Sequence, residues 1–183
     1  GNIVFVKESI FAVSEDRILL RYTLEDATEK VTLRIKPFLA FRSVHDLAKS
    51  NVYVDNKHIV AEKGAAWQMY KGYSKVFMQF SKNVKYVHFP DWYYNIIYVR
   101  ELERGYPGME DLYVPGFFEV ELKKGESVVI SAGLEEKNPS TFKKQFESEI
   151  RKRTPRNNFA NCLINAGDEF FVKINKKTEI IAG

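Results

Sequence analysis

The chain has 183 residues, enough for one domain with a complete hydrophobic core. Its 45% hydrophobic and 28% charged residues are ordinary values for a globular protein in water. The net charge of +4 is mild, and no nucleic-acid-binding motif accompanies the one dense basic run, RKRTPR at residues 151–156, so we expect no nucleic-acid partner.

The first predicted strands alternate apolar and polar residues. In RILLRYTL, one face carries Ile18, Leu20, Tyr22 and Leu24, and the opposite face carries Arg17, Arg21 and Thr23. The segment VTLRIKP at residues 31–37 repeats the pattern. A period of two is typical of half-buried antiparallel strands. Further on, Ser43 is a candidate cap for a short helical turn.

Later segments are expected to form hairpins. SKVFMQF at residues 74–80 is followed closely by VKYVHF at residues 84–89. FFEVEL and SVVISAG flank KKGE, a turn in which Gly125 is available for a positive φ angle. Short strands joined by polar turns predict a mainly β protein, with an antiparallel β-sandwich over residues 1–134.

After residue 134 the period changes and predicts a pair of short helices. Asn138 and Pro139 suit the cap and the first turn of a helix. Its apolar face carries Phe142, Phe146 and Ile150. Pro155 ends this helix, and Asn157 or Asn158 is a candidate cap for a second one, whose apolar side carries Phe159, Leu163, Ala166 and Phe170. We expect residues 135–183 to pack on the same domain, and FFVKI and EIIAG to flank a turn at NKKT.

Residues that carry chemistry are sparse. The single cysteine, Cys162, excludes an internal disulfide, and its apolar neighbours predict a buried thiol. Three scattered histidines have no metal-ligand spacing, and no nucleophile motif or phosphate-binding glycine loop occurs, so we expect no metal and no cofactor. No apolar run is long enough to span a membrane, so we expect no membrane partner. The absent initiator Met leads us to expect a fragment of a longer protein.

Two acids in VRELERG raise the question of catalysis. On a strand, Glu101 and Glu103 would share a face, roughly 6–7 Å apart. A glycoside hydrolase needs two carboxylates on opposite sides of the scissile bond, which this arrangement does not provide. With Arg100, Arg104 and Asp111 nearby, we favour an ion-pair network that fixes a long hairpin.

Three consecutive aromatic residues are candidates for sugar binding. On a strand, Trp92 and Tyr94 would share one face and Tyr93 would occupy the other. Aromatic rings can stack on the C–H faces of a sugar, but the same rings can fill a core or an interface. Both readings stay open for Trp92, Tyr93 and Tyr94.

Three groups of motifs occur in order along the chain. The first, VTLRIKPFLAFRSVHDL, includes Pro37, Ala40, Phe41, Arg42 and His45. The second comprises a Trp-Tyr pair, Tyr-x-x-Glu-x-Glu-Arg-Gly, Glu-Asp-Leu and Pro-Gly, on Trp92, Tyr93, Tyr98, Glu101, Glu103, Arg104, Gly105, Glu110, Asp111, Leu112, Pro115 and Gly116. The third is LINAGDEFFVKINKKTEIIAG. Together they resemble the N-terminal domain of prokaryotic glycogen debranching enzymes of the amylo-α-1,6-glucosidase type.

The resemblance implies a β-sandwich of the supersandwich kind, followed in the parent enzyme by an (α/α)6 barrel that holds the catalytic acids. It implies that the parent cleaves α-1,6 branches in glycogen-like glucans and that this chain holds no catalytic residue. Its partners would be the catalytic domain of the same polypeptide and an α-glucan, in the cytoplasm. The chain departs from the family at Tyr106, Pro107 and Gly108, where a shorter link is more usual.

Our leading hypothesis is a non-catalytic domain that packs on the barrel and shapes the glucan-binding cleft. The candidate contact residues are Trp92, Tyr93, Tyr94, Tyr98, Glu101, Glu103, Arg104 and Asp111. The alternative is an independent carbohydrate-binding module for α-glucans, which predicts that the isolated chain binds malto-oligosaccharides.

Overall fold

The computed structural model describes residues 2–13, 15–174 and 177–180. Its strands are β1 (Val4–Phe11), β2 (Arg17–Asp26), β3 (Val31–Ile35), β4 (Ile59–Ala61), β5 (Gly64–Trp67), β6 (Val76–Phe80), β7 (Lys85–Ile97), β8 (Met109–Leu122), β9 (Ser127–Gly133), β10 (Phe171–Ile174) and β11 (Lys177–Ile180). Its α-helices are α1 (Val99–Glu103), α2 (Phe142–Arg151) and α3 (Phe159–Asp168). The mainly β architecture predicted from the sequence is confirmed.

Two antiparallel sheets face each other. The larger sheet has the strand order β1-β2-β9-β6-β5-β4, and the smaller sheet has the order β3-β8-β7. The core between them holds Trp67 and Phe80 from the larger sheet against Phe118 and Leu122 from β8, all fully buried. The apolar face predicted for β2 points into this core through Leu20, Tyr22 and Leu24. The antiparallel sandwich is therefore also confirmed.

The two hairpins predicted between neighbouring strands are wrong. β6 pairs with β5 and β9 in the larger sheet, whereas β7 pairs with β8 in the smaller one. β8 and β9 are likewise divided between the two sheets. A short polar turn between two alternating strands fits an arch from one sheet to the other as well as a hairpin within one sheet. The turn residue Gly125 does have a positive φ, of 79°.

Part of the outer face of the larger sheet, formed by β1, β2 and β9, is covered by α2. Phe142 and Phe146 are buried against Leu19 and Val129, which point away from the inter-sheet core. The guanidinium of Arg21 lies 4.4 Å from the centre of the Phe146 ring. The face of β2 predicted to be polar thus packs against a helix, because an arginine can lay its apolar stem and planar head on an aromatic ring.

The predicted asparagine caps are present, but the predicted burial of the apolar side of α3 is not observed. The Asn138 side chain accepts from the Ser140 amide and caps a 3-10 turn, Pro139–Thr141, that leads into α2, whereas the Asn158 side chain accepts from the Asn161 amide at 2.8 Å and caps α3. Cys162 is exposed, so the predicted buried thiol is wrong. The apolar side chains of α3 include the exposed Phe159 and Leu163.

The last strands that the structure describes, β10 and β11, form an antiparallel pair. The turn predicted at NKKT falls partly on residues 175 and 176, and the end of EIIAG falls on residues 181–183. Both lie outside the described residues.

Candidate functional site

The long hairpin of β7 and β8 ends in a helix. Residues 101 and 103 lie on α1, so the prediction that Glu101 and Glu103 share the face of a strand is wrong. The Tyr98 carbonyl accepts from the amides of Glu101 and Leu102, which closes a helical turn. Helical side chains two residues apart diverge by about 200°. The two carboxylates therefore do not form a pair.

The exposed ion pairs of α1 are local. Arg100 contacts Glu103 at 3.0 Å, and Arg104 contacts Glu101 at 3.3 Å. Pairs of this kind, three residues apart on a helix surface, contribute only about 0.2–0.5 kcal/mol each. The predicted network that joins them to Asp111 is wrong, because both Asp111 oxygens accept from backbone amides.

A buried carboxylate at the start of β8 holds the site together. Glu110 is fully buried and faces the guanidinium of Arg42, with Nε to Oε1 at 2.5 Å and Nη2 to Oε2 at 3.1 Å. The Tyr98 hydroxyl donates to Oε2 at 2.6 Å, and the Ala48 amide donates to Oε1 at 2.9 Å. One carboxylate thus ties the first residue before α1 to the loop that follows β3.

The hydrogen bonds to Glu110 determine its charge. The bond from Arg42, helped by those from Ala48 and Tyr98, lowers the pKa of Glu110 from 4.5 to about 2, although burial acts in the opposite direction. The same carboxylate raises the pKa of the Tyr98 hydroxyl. A group that stays ionised and enclosed at neutral pH is poorly suited to general acid catalysis. Glu110 is a structural anion.

Asp111 makes a second set of ties next to the first. Its Oδ1 accepts from the Asn95 amide at 2.9 Å, and its Oδ2 accepts from the Ser50 amide at 3.1 Å. These bonds lower the pKa of the carboxyl group, with the Asn95 amide contributing most. Asn95 has a φ of 57° at an irregularity in β7, a conformation that asparagine tolerates better than most residues. Asp111 therefore joins the same loop to β7.

The loop between β3 and β4, residues 36–58, runs beside β8 where β3 has ended. The Leu39 amide donates to the Tyr113 carbonyl at 2.8 Å, and the Asp111 amide donates to the Ala48 carbonyl at 2.9 Å. The short helical turn predicted after Ser43 is a single turn, in which the Asp46 amide donates to the Ser43 carbonyl at 3.2 Å. The loop has little regular structure of its own, so its shape depends on these bonds and on the Glu110 ion pair.

Between this loop and α1 lies an open cleft with a volume of about 850 Å³. One wall is formed by Arg42 and residues 44–47, and the other by Tyr98, Glu101, Tyr106 and Pro107. Tyr106 is 56% exposed, and the guanidinium of Arg104 lies 5.3 Å from the centre of its ring. The cleft thus offers an aromatic face beside carboxylate, imidazole and guanidinium groups. Such a mixture suits a polar ligand with apolar faces.

The three consecutive aromatic residues do not form one platform. Trp92 is half-buried and packs edge-on against Tyr113 in the core, with ring centres 5.4 Å apart. Tyr93 lies on the outer side of the smaller sheet, where its ring meets Phe38 at 4.8 Å. Tyr94 is exposed to solvent. Of the predicted contact residues, only Tyr98 and Glu101 line the cleft.

No local pattern in the sequence indicates that Arg42 pairs with Glu110. Both residues lie in motifs that resemble the family, but 68 positions separate them. Tyr106 lies in the segment that departs from the family and was not a candidate. Its place in the cleft follows from the turn after α1, where the Tyr106 amide donates to the Glu101 carbonyl at 2.9 Å.

Among the residues that the structure describes, no group of three or more His, Cys, Asp or Glu side chains is arranged to hold a metal ion. Within the same residues, no helix combines the length and the apolar character needed to cross a bilayer.

The fold and the anchored cleft define an antiparallel β-sandwich domain with a helix on one outer face. The model of the family described as glycogen debranching enzyme N terminal matches residues 1–129. The chain belongs to this family and is an N-terminal domain of a glycogen debranching enzyme. No curated protein and no solved structure matches it.

Proposed function

We propose that this chain is a non-catalytic domain that packs on the catalytic domain of its parent enzyme and forms part of the glucan-binding cleft. The observation that carries the proposal is the buried Glu110 carboxylate, which binds Arg42 on one wall of the cleft and Tyr98 on the other. A binding surface made of a loop and a short helix needs such a tie to keep its shape. The parent would be a cytoplasmic amylo-α-1,6-glucosidase, as the family suggests.

The composition of the cleft supports an uncharged sugar polymer as its ligand. Tyr106 offers a ring face, while His45, Asp46 and Glu101 offer hydrogen-bonding groups for hydroxyls. The volume of about 850 Å³ lies within the about 300–1,000 Å³ of typical ligand pockets. The cleft would therefore hold a short stretch of a glucan chain.

The acids of the cleft are better suited to binding than to hydrolysis. Glu110 is enclosed and ionised, and Glu101 is engaged by Arg104. Hydrolysis of a glycosidic bond needs one acid that can donate a proton and a second carboxylate across the bond. This supports placing the catalytic acids in the other domain of the parent.

The exposed apolar side chains near the end of the chain are the proposed contact with that domain. Phe159 on α3 is 78% exposed, and Phe171 on β10 and Ile180 on β11 are also exposed. Large apolar side chains left in water favour burial against a protein partner. We commit to the catalytic domain of the same polypeptide, because the family is named as the N-terminal part of a larger enzyme.

The test is the Tyr106→Ala substitution in the parent enzyme. We expect KM for a branched glucan to rise about tenfold, as for the loss of one aromatic contact, with kcat unchanged. The matched control is Tyr53→Ala, which removes a ring that is 83% exposed and outside the cleft. An unchanged KM in the Tyr106→Ala enzyme would refute the proposed glucan contact.

A further inference from the structure

We infer that the outer face of the smaller sheet carries a second, separate groove for one unit of an α-glucan chain. The inference rests on the proposed function for the class of ligand, but it uses none of the residues that line the cleft. The groove has a volume of about 220 Å³ and lies among Arg34, Lys36, Phe89, Asp91, Tyr93 and Phe117.

Its walls are aromatic rings held by neighbouring cations. The Arg34 guanidinium lies 4.4 Å from the centre of the Phe117 ring, and the Lys36 ammonium lies 5.2 Å from the centre of the Tyr93 ring and donates to its hydroxyl. Phe38 supports Tyr93 from the side. Phe89 is 67% exposed, although burial would be favourable for so large an apolar ring. The face thus presents two rings held by neighbouring side chains, Phe117 and Tyr93, and beside them the solvent-exposed ring of Phe89.

The backbone of β7 places Phe89 there. The pairing of β7 with β8 shifts between His88 and Asp91, so the chain bulges at Phe89. Gly116 lies opposite with a φ of 147°, and a Cβ atom there would be 2.1 Å from the Val87 carbonyl oxygen. The bulge therefore requires glycine at position 116, which forms part of the groove.

The charges of the face favour a neutral ligand. Arg34 is paired with Glu119 at 2.6 Å, and the groove is lined by one further cation, Lys36, and one anion, Asp91. A nucleic acid or an acidic peptide would meet no net positive charge here. A sugar presents apolar C–H faces for the rings and hydroxyls for both kinds of charged group.

The volume of the groove determines how many sugar units it can hold. Its 220 Å³ is below the about 300–1,000 Å³ of pockets that enclose a whole small molecule. It fits one unit of a longer chain, whose neighbouring units would extend over Phe89 and Phe117. This predicts affinity for linear malto-oligosaccharides and weak affinity for glucose.

The test uses the 183-residue chain and titration calorimetry with maltoheptaose. We expect maltoheptaose to bind and the Phe89→Ala substitution to raise the Kd about tenfold. A ring with one face covered by a sugar gains roughly half of the free energy of complete burial, and the substitution removes this gain. Tyr53→Ala is the control, since Tyr53 is a comparably exposed ring outside the groove. Near-ultraviolet circular dichroism of each variant establishes that the fold is retained.

Three results would overturn the inference. The first is no binding at millimolar maltoheptaose. The second is binding that Phe89→Ala leaves unchanged and Tyr106→Ala abolishes, which would assign the glucan contact to the cleft alone and leave the proposed function standing. The third is self-association of the chain that Phe89→Ala removes, which would make this face an interface between copies.

Discussion

Replacing Glu110 by Gln is expected to lower the free energy of unfolding by about 3 kcal/mol at pH 7. The pKa of Glu110 is held at about 2 against its usual 4.5, and each unit of that difference corresponds to about 1.4 kcal/mol. The amide keeps the shape of the side chain but loses the charge that faces Arg42. It also brings an N–H group next to other donors, which costs further stability.

The contribution of Glu110 to the free energy of unfolding should depend on pH, with a sign that follows from the low pKa of its carboxyl group. Because the pKa of Glu110 is lower in the folded state, its ionisation stabilises the fold above about pH 4.5, and this contribution disappears as the pH falls through about 2. The difference between the original chain and the Glu110→Gln variant should therefore shrink to about 1.4 kcal/mol at pH 3. Other acids titrate in both proteins, so their effects cancel in this difference.

Urea unfolding at several pH values measures both quantities. Glu103→Gln is the matched control: it neutralises an exposed glutamate on α1 and should change stability by less than about 0.5 kcal/mol. A Glu110→Gln variant that unfolds like the control, or a stability difference that stays constant from pH 7 to pH 3, would refute the role assigned to the buried ion pair.

Three further predictions concern stability. Arg42→Met should lower the free energy of unfolding in urea by about 3–5 kcal/mol, because it leaves Glu110 buried without its cation. It should also speed proteolysis within residues 42–50, and slow cleavage there would contradict the anchoring role of Arg42. Phe146→Ala should cost about 3–5 kcal/mol and detach α2, read from hydrogen exchange of the helix, and unaltered exchange would count against this packing. Gly116→Ala should lower the free energy of unfolding by about 1–3 kcal/mol, because position 116 has a positive φ and lies close to Val87. Gly167→Ala, at a position on α3 with open space around it, should be neutral or stabilising. Equal effects of the two substitutions would contradict the requirement for glycine at the bulge.

Local patterns in the sequence predicted the parts of the fold that depend on local physics. The alternation in β2 identified the face that enters the core. Asn138 caps the 3-10 turn before α2 and Asn158 caps α3, because their side chains satisfy amides within a few residues. These signals need no knowledge of distant partners.

The parts that could not be predicted depend on contacts between distant segments. An alternating strand specifies its faces but not its neighbours, so the pattern of β6 and β7 predicts one hairpin although the two strands belong to different sheets. VRELE forms a helical turn because the Tyr98 carbonyl collects two amides at the tip of the hairpin, which a strand pattern does not reveal. The pairing of Arg42 with Glu110 is likewise invisible without the fold.

The candidate site could likewise be predicted from the sequence only in part. The resemblance drew attention to the motifs that contain Tyr98, Glu101 and Asp111, and two of these residues line the cleft. Arg104 and Glu103 are surface partners of their own helix. Trp92 faces the core, where side chains of β7 and β8 pack together. Its neighbour Tyr93 therefore points outward to a different surface.

Hydrogen exchange in the parent enzyme, with and without a branched malto-oligosaccharide, tests most directly whether this domain forms part of the glucan-binding cleft. Amides at residues 42–48 and 99–106 should gain protection together when the sugar binds, because Glu110 joins the two walls of one cleft. Protection confined to the catalytic domain, with both segments unchanged, would contradict a role for this domain in forming the glucan-binding cleft.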